Sequence, residues 1–420
     1  MLAGIGFWLL HLIWLPQSFV LLFGTPLGAV PFIPLVLIKA LMWAVVFGLT
    51  KNRPLSRVGG LVVLEYLTSL GTLAFPWGFF GYALVEAPGR MLASFGGVYL
   101  LSLIVLLAAL LLSSKKYWVL VPWALLWVWP IPKVIPDHTA LIVQGSINPL
   151  RKVLGENAEE RYFGLTKEGL RQAPQADLVV WPESALFQVP AGVEVKGEEL
   201  KTILSDRPLV AGVGISEAAE QGRYAFYNRV VLIERTEVLA QYDKSRLVPF
   251  GEFWPWRPVL GPVYQIFFSA FKLGNLSDSQ AGKILAPLSQ YGAYICYESV
   301  FPAVARGMAR QGASVLVNVS NDAWFGPSFG ARQHFQMGRL RAVEAGRFVL
   351  RAGNDGITAS IDPYGRVVAR LPQYQPGFLA APYALVSQQT PYVRFGDWAV
   401  LLSAFLALIG LRTPAGKRIV

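Results

Sequence analysis

The chain has 420 residues, 54% of them hydrophobic and only 15% charged, with a formal net charge of +11. A mean hydropathy of +0.45 lies well above that of ordinary globular domains and is the profile of a membrane protein. A single cysteine excludes an internal disulfide framework and any multi-cysteine zinc or iron–sulfur site, and three scattered histidines, His11, His138 and His334, make no metal cluster.

The apolar residues are concentrated in the first 135 positions and the last 25. A membrane span needs about 20 mostly apolar residues. Five candidates precede residue 136, at roughly 3–23, 27–50, 58–75, 91–112 and 117–135, and a sixth runs from about 397 to 412. The first lacks the basic start and small-residue cleavage site of a signal peptide. The short basic loops "KNRPLSR" and "SSKK" and the tail "RTPAGKRIV" belong on the cytoplasmic side. Five crossings from an inside N-terminus then deliver residue 136 outside, so a domain of about 137–393 is expected on the extracytoplasmic face. This topology accounts for much of the basic excess without a nucleic-acid partner. Lys39 and Glu65 fall inside adjacent spans at similar depth, which suggests an ion pair.

Between the apolar ends the pattern changes. "ALIVQGSI", "DLVVWPES", "LVAGVGIS", "NRVVLIE", "YGAYICYES", "SVLVNVSND" and "GITASIDPYG" have the length and β-branched content of strands. "ARQHFQMGRLRAVEAGR" has helical spacing with Gly346 near its end. Buried strands mixed with helices predict an α/β layered domain.

Three stretches of this domain carry reactive side chains: Glu183 in "WPES", Lys244 and Glu252 in "YDKSRLVPFGE", and Cys296 in "ICYES". A thiol becomes a nucleophile when a base takes its proton and a cation stabilises charge beside it. A carboxylate can carry that proton to the leaving group, while an ammonium holds an oxyanion. A lone cysteine is more often a small buried hydrophobe, and it is the joint presence of the three groups that points to acyl transfer. A Cys–His dyad through His138 or His334 is the other arrangement open to the thiol.

The order of a Glu after "WP", a Lys in "YDKSRLVPFGE" and a Cys in "CYE" resembles the carbon–nitrogen hydrolase, or nitrilase, superfamily. "LVPFGE", "ICYE", "NVSNDAWFG", "HFQMGRLRAVEAGR" and "FPWGFFGY", with the apolar ends, resemble its membrane branch, the apolipoprotein N-acyltransferases. The resemblance implies a polytopic helical membrane domain (1–136), a nitrilase-like αββα sandwich (137–393) and a final membrane helix with a cytoplasmic tail (394–420). It implies Cys296 as nucleophile, Glu183 as general base and Lys244 as oxyanion cation, with Glu252, Tyr297 and Glu298 in support. No metal and no cofactor are implied. The donor would be a membrane phospholipid, usually the sn-1 chain of phosphatidylethanolamine. The acceptor would be the α-amino group of a diacylglyceryl-cysteine at the N-terminus of an apolipoprotein, at the bacterial inner membrane and by a monomer.

The segment 253–274 is unusually aromatic, and Trp254, Trp256, Phe267, Phe268 and Phe271 are candidates for the membrane interface or a lid. Trp324 and Phe325 are candidates for the site's rim. Two departures from the family pattern stand out: the family has a tryptophan shortly after its "VQGN" strand where "VQGSINPLRKVLGE" offers none, with Val153 near the expected place, and six spans are counted where eight are usual. A membrane-anchored amidase using the same triad with water is the main alternative, and a transporter or scaffold that has lost activity is a third.

Overall fold

The computed structural model describes residues 1–128, 130–147, 158–188, 197–218, 224–235, 237–271 and 278–412, with the side chains of 187, 188, 197, 267, 270 and 271 excepted. Val153, Phe267 and Phe271, singled out above, therefore lie outside the described side chains.

The middle of the chain is two sheets laid face to face. The first takes β1 (His138–Gln144), β2 (Leu178–Gln188), β3 (Leu209–Ala218), β4 (Tyr224–Glu234) and β5 (Glu237–Asp243). The second takes β6 (Tyr291–Ile295), β7 (Val315–Ser320), β8 (Val349–Gly353), β9 (Ala359–Ile361) and β10 (Val367–Arg370). Finally β11 (Gly377–Tyr383) returns to the first sheet beside β1, giving the orders β11-β1-β2-β3-β4-β5 and β10-β9-β8-β7-β6.

The two-residue alternation along each strand sorts side chains between two cores. Ala140, Ile142, Val180, Val210 and Leu232 point inward and meet Ala293, Ile295, Val317 and Val319 of the second sheet. Their sequence neighbours Leu141, Val143, Val179, Trp181 and Ala211 point outward onto Tyr162, Phe163, Leu170, Leu200 and Leu204 from the helices Ala158–Gln172 and Gly197–Leu204. Helices Pro302–Arg310 and Gly330–Ala345 contact the second sheet. The latter ends at Gly346, whose φ of +64° supplies the left-handed residue that closes a helix. The layers run helix, sheet, sheet, helix, as the family resemblance implies.

The apolar ends depart from the expected six spans. Among the described residues two helices are long and apolar enough to cross a bilayer, Pro26–Leu49 and Pro88–Ser113. The first candidate is broken into Leu2–His11 and Leu15–Phe23, bent by 59°, and could count as one more. The third ends at Leu67 after 14 residues, about 21 Å against a core of about 30 Å. Beyond it Ala74 and Phe75 pack against the sheet domain, the Ala74 carbonyl accepting from Tyr297 Oη, while Leu70 and Leu73 stay exposed. Tyr117–Val128 and Trp398–Arg412 are apolar but short. Window hydropathy cannot see these stops, because the turning segments are as apolar as the helices.

The expected Lys39–Glu65 pair is not formed. Lys39 Nζ donates to the Phe75 carbonyl at 2.8 Å and lies over the Trp8 and Phe75 rings, while Glu65 Oε1 accepts from the Phe80 amide at 2.7 Å. The loop 68–80 offers each charge a main-chain partner, so neither needs the other.

Close contacts bind the two apolar ends together. A Cβ on Gly59 would sit 2.2 Å from the Ser403 carbonyl, and Ser56 Oγ donates to the Ala407 carbonyl at 2.7 Å. Small residues thus let Pro54–Leu67 and Trp398–Arg412 pack backbone to backbone.

Candidate active site

Glu183 leaves the first sheet at an irregularity. The β2–β3 register shifts between Trp181 and Leu186, and Ser184 takes a φ of +52°. A bulge of this kind turns a side chain out of the strand's alternation. It lies against Gly212 of β3, where a Cβ would come within 2.6 Å of Glu183 Cα. Glu183 Oε2 then reaches across to the second sheet and accepts from the Asn321 amide, just past β7, at 2.7 Å.

Cys296 follows β6 directly and has a φ of +46°, a left-handed conformation costly for a residue with a Cβ. Glu298 holds that turn in place. Fully buried, its Oε2 accepts from the Ile295 amide at 2.8 Å, and its Oε1 accepts from Tyr242 Oη at 2.6 Å, Ser245 N at 2.8 Å, Ser245 Oγ at 2.7 Å and Arg246 N at 3.1 Å. One carboxylate therefore ties the thiol's strand end to the loop that follows Lys244. Tyr297 donates its hydroxyl to the Ala74 carbonyl at 2.8 Å, which joins the same turn to the apolar N-terminal region.

Lys244 is buried between two carboxylates, with Nζ 2.7 Å from Glu252 Oε1 and 3.5 Å from Glu183 Oε1. Glu252 Oε2 also accepts from Val248 N at 2.8 Å, so the loop 244–252 is fastened at both ends. Burial works against the ammonium, but Glu252 and then Glu183 outweigh it and hold the lysine above its ordinary pKa. Burial pushes the Cys296 thiol up, and Glu183 pushes it the same way while Lys244 opposes both. The resting pair is thus a neutral thiol and a charged lysine. Two engaged N–H groups leave the ammonium a third for an oxyanion.

His334 lies closer than its sequence position suggests, but not as a partner for the sulfur. Its Nδ1 lies 3.0 Å from both Asp322 Oδ1 and Arg351 Nη2, and its Nε2 lies 2.7 Å from Ser299 Oγ and 3.0 Å from the Cys296 carbonyl, so both ring nitrogens are engaged away from the sulfur. A Cys–His dyad is therefore not what the ring builds. The ligand atoms of Cys296, Asp322 and His334 lie within 4.8 Å of one another. Arg351 already brings positive charge to this group, 2.7 Å from Asp322 Oδ2. Burial works against the Asp322 carboxylate, but Arg351 and His334 hold it well below the usual range.

The six expected polar residues Glu183, Lys244, Cys296, Glu252, Tyr297 and Glu298 thus converge, while the aromatic candidates separate. Trp254 is buried against Phe23, Phe250, Tyr264 and Phe268, so it is a packing residue rather than an exposed anchor. Trp256 is exposed. Trp324 is only just exposed, and Phe325 is half-buried among Trp14, Trp77 and His334 rather than free at a rim. An apolar cavity of about 200 Å³ lies between Phe19, Phe23 and Pro31 on one side and Phe250, Trp254, Val263 and Tyr264 on the other. Sequence reasoning missed Asn228, Asn321, Asp322, Gln333 and Arg351. The usable signal for Arg351 is a charge inside the apolar run "FVLRAG".

The carbon–nitrogen hydrolase family model matches residues 142–389, and the apolipoprotein N-acyltransferase N-terminal domain model matches residues 1–111. An apolipoprotein N-acyltransferase of Pseudomonas syringae is 33% identical over 79% of this chain and 69% of its own length. The chain belongs to the apolipoprotein N-acyltransferase family. A second apolipoprotein N-acyltransferase, from Azotobacter vinelandii, is 35% identical over 80% of this chain and 68% of its own. A carbon–nitrogen hydrolase from Helicobacter pylori covers 63% of this chain and 94% of its own, at 17% identity and a TM-score of 0.43. As an acyltransferase-type enzyme of this family, the chain joins a membrane-associated helical region to a nitrilase-like sheet domain.

Proposed function

We propose that this enzyme moves an acyl chain from a membrane phospholipid to the N-terminal amine of a diacylglyceryl-cysteine on an apolipoprotein, through a thioester on Cys296. The observation that carries the reading is a buried lysine held between two carboxylates beside a thiol on a strained turn.

In the first half-reaction Cys296 Sγ attacks the ester carbonyl carbon while Glu183 takes the thiol proton. Lys244 stabilises the oxyanion, the C–O bond breaks, and Glu183 returns the proton to the departing lysophospholipid. In the second, the acceptor amine attacks the thioester carbonyl and loses its proton to Glu183. The C–S bond then breaks and the thiolate recovers that proton, leaving an amide. The neutral resting thiol fits this scheme, because its proton leaves only as the S–C bond forms. Glu252 holds Lys244, and Tyr297 and Glu298 hold the turn that carries the sulfur.

Both substrates are lipid-borne, and the apolar cavity bordered by Phe250 and Trp254 would admit an acyl chain from the side of helix Leu15–Phe23. In this reading the chain divides near 136 and 394, crosses the bacterial inner membrane several times, and presents its sheet domain on the extracytoplasmic face as a monomer. The basic loops "KNRPLSR" and "SSKK" support that orientation.

Purified enzyme incubated with phosphatidylethanolamine should gain one acyl group on Cys296, and a diacylated lipopeptide should discharge it as an amide. An unmodified thiol, or equal labelling of Cys296→Ala, overturns the mechanism. Discharge to water at the same rate without lipopeptide favours the amidase alternative.

A further inference from the structure

We infer that Asn228 is a positioning residue for this reaction, its side-chain amide bridging Glu183 and Glu252 so that Lys244 is shared between them without being captured by the base. The inference rests on the roles proposed above for Glu183, Lys244 and Cys296.

Asn228 stands on β4. Its Nδ2 donates to Glu183 Oε1 at 2.7 Å and to Glu252 Oε1 at 3.3 Å, the same two oxygens that Lys244 Nζ approaches at 3.5 and 2.7 Å. The distances are complementary: the amide is the short donor to Glu183, and the ammonium is the short donor to Glu252. A carboxylate locked to an ammonium is a poor proton acceptor, and a short neutral donor on Glu183 relieves that while Lys244 stays on Glu252. The main chain of the same residue acts with its side chain, since the Asn228 carbonyl accepts from Lys244 N at 2.8 Å.

Few side chains could do this. One planar nitrogen must present two N–H groups to two acceptors without adding charge, which only an amide does among short neutral residues. Aspartate would place a third carboxylate against two, and serine offers a single donor. The arrangement also has a standing cost, because Asn228 Oδ1 is buried without a partner among the described residues. An apolar residue would avoid that cost. The groups around Glu183 are Lys244, Glu252 and Cys296, with the Asn321 amide on its other oxygen and Asp322 just beyond.

The test is single-turnover acylation of Cys296 in the full chain, read by intact mass with micelles containing phosphatidylethanolamine, across about pH 5 to 9. Asn228→Leu should slow acylation at neutral pH by about tenfold or more and move the acid limb of the profile up by about one pH unit, since a donor to the ionised base is lost. Asn228→Asp keeps the volume and serves where the leucine variant does not fold; it should move the limb in the same direction. A slower rate with an unmoved limb reduces Asn228 to packing and overturns the inference, as does an unchanged rate. If wild type itself forms no acyl-thiol, the underlying reading fails first and takes this one with it; a wild-type adduct with unaltered variants sinks only the role of Asn228.

Discussion

Glu298→Gln is the sharpest structural test of how the thiol is held. The change keeps volume and one carbonyl oxygen but replaces an acceptor by an NH2 group. Four donors converge on Oε1, so the amide oxygen must take that side, and the NH2 group then faces the Ile295 amide, donor against donor. An orphaned buried N–H costs about 1–3 kcal/mol, and the remaining bonds lose their charge assistance, for a total of about 3–5 kcal/mol. At about 2–4 °C per kcal/mol for a domain of this size, the melting temperature should fall by about 10 °C. Ile295 immediately precedes Cys296, so the damage should also reach chemistry, and acylation should fall by more than the loss of folded protein explains. The assay pairs a melting curve in detergent with intact-mass acylation. A variant matching wild type in both would refute the claim that this carboxylate fixes the turn.

Three further outcomes are expected. Gln333 Oε1 accepts from the Trp14 and Trp77 indoles at 2.9 and 2.7 Å and its Nε2 donates to the His11 carbonyl at 3.0 Å, so Gln333→Leu should cost about 2–5 kcal/mol in a denaturation series. Unchanged stability would mean that water replaces the clasp. Asp322 has its pKa depressed in the fold, so its stabilisation is complete above about pH 4 and lost as pH falls through the folded value. Asp322→Asn should therefore destabilise strongly at pH 7, with the gap to wild type narrowing in acid; a constant gap would contradict the Arg351 pairing. Gly59→Leu should prevent helix Pro54–Leu67 from seating on Trp398–Arg412 and lower the yield of folded enzyme, while Gly48→Leu, with open space around its Cβ, should be tolerated.

The sheet domain was legible because its strands announce themselves by alternation. Val179 and Val180 go to opposite cores, as their places in "DLVVWP" require. The candidate trio of Glu183, Lys244 and Cys296 was legible only from its joint order, since each of the three taken singly is an ordinary residue. Part of what surrounds the trio was not. Asn228 and Asn321 are ordinary polar residues next to strands, and only the meeting of two sheets gives them a carboxylate to serve. The membrane part was read least well. Leu67 ends a helix although Leu70, Leu73 and Phe75 continue the apolar run, and beyond it Ala74 and Phe75 are taken up in contacts to a domain that the local sequence does not encode. The surroundings of Trp254 were hidden for a similar reason: an aromatic in a loop looks exposed until Phe23 and Phe268 are found around it.

The seam of Ser56 and Gly59 against Ser403 and Ala407 has a consequence for how the enzyme is made. Its two halves are separated by about 350 residues of sequence, so at about 5–20 residues per second the first half waits roughly 17–70 s for the second to be synthesised. During that interval helix Pro54–Leu67 displays a notched face with nothing seated in it. The whole sheet domain is therefore synthesised, with time to fold, before helix Trp398–Arg412 reaches its seat on that face.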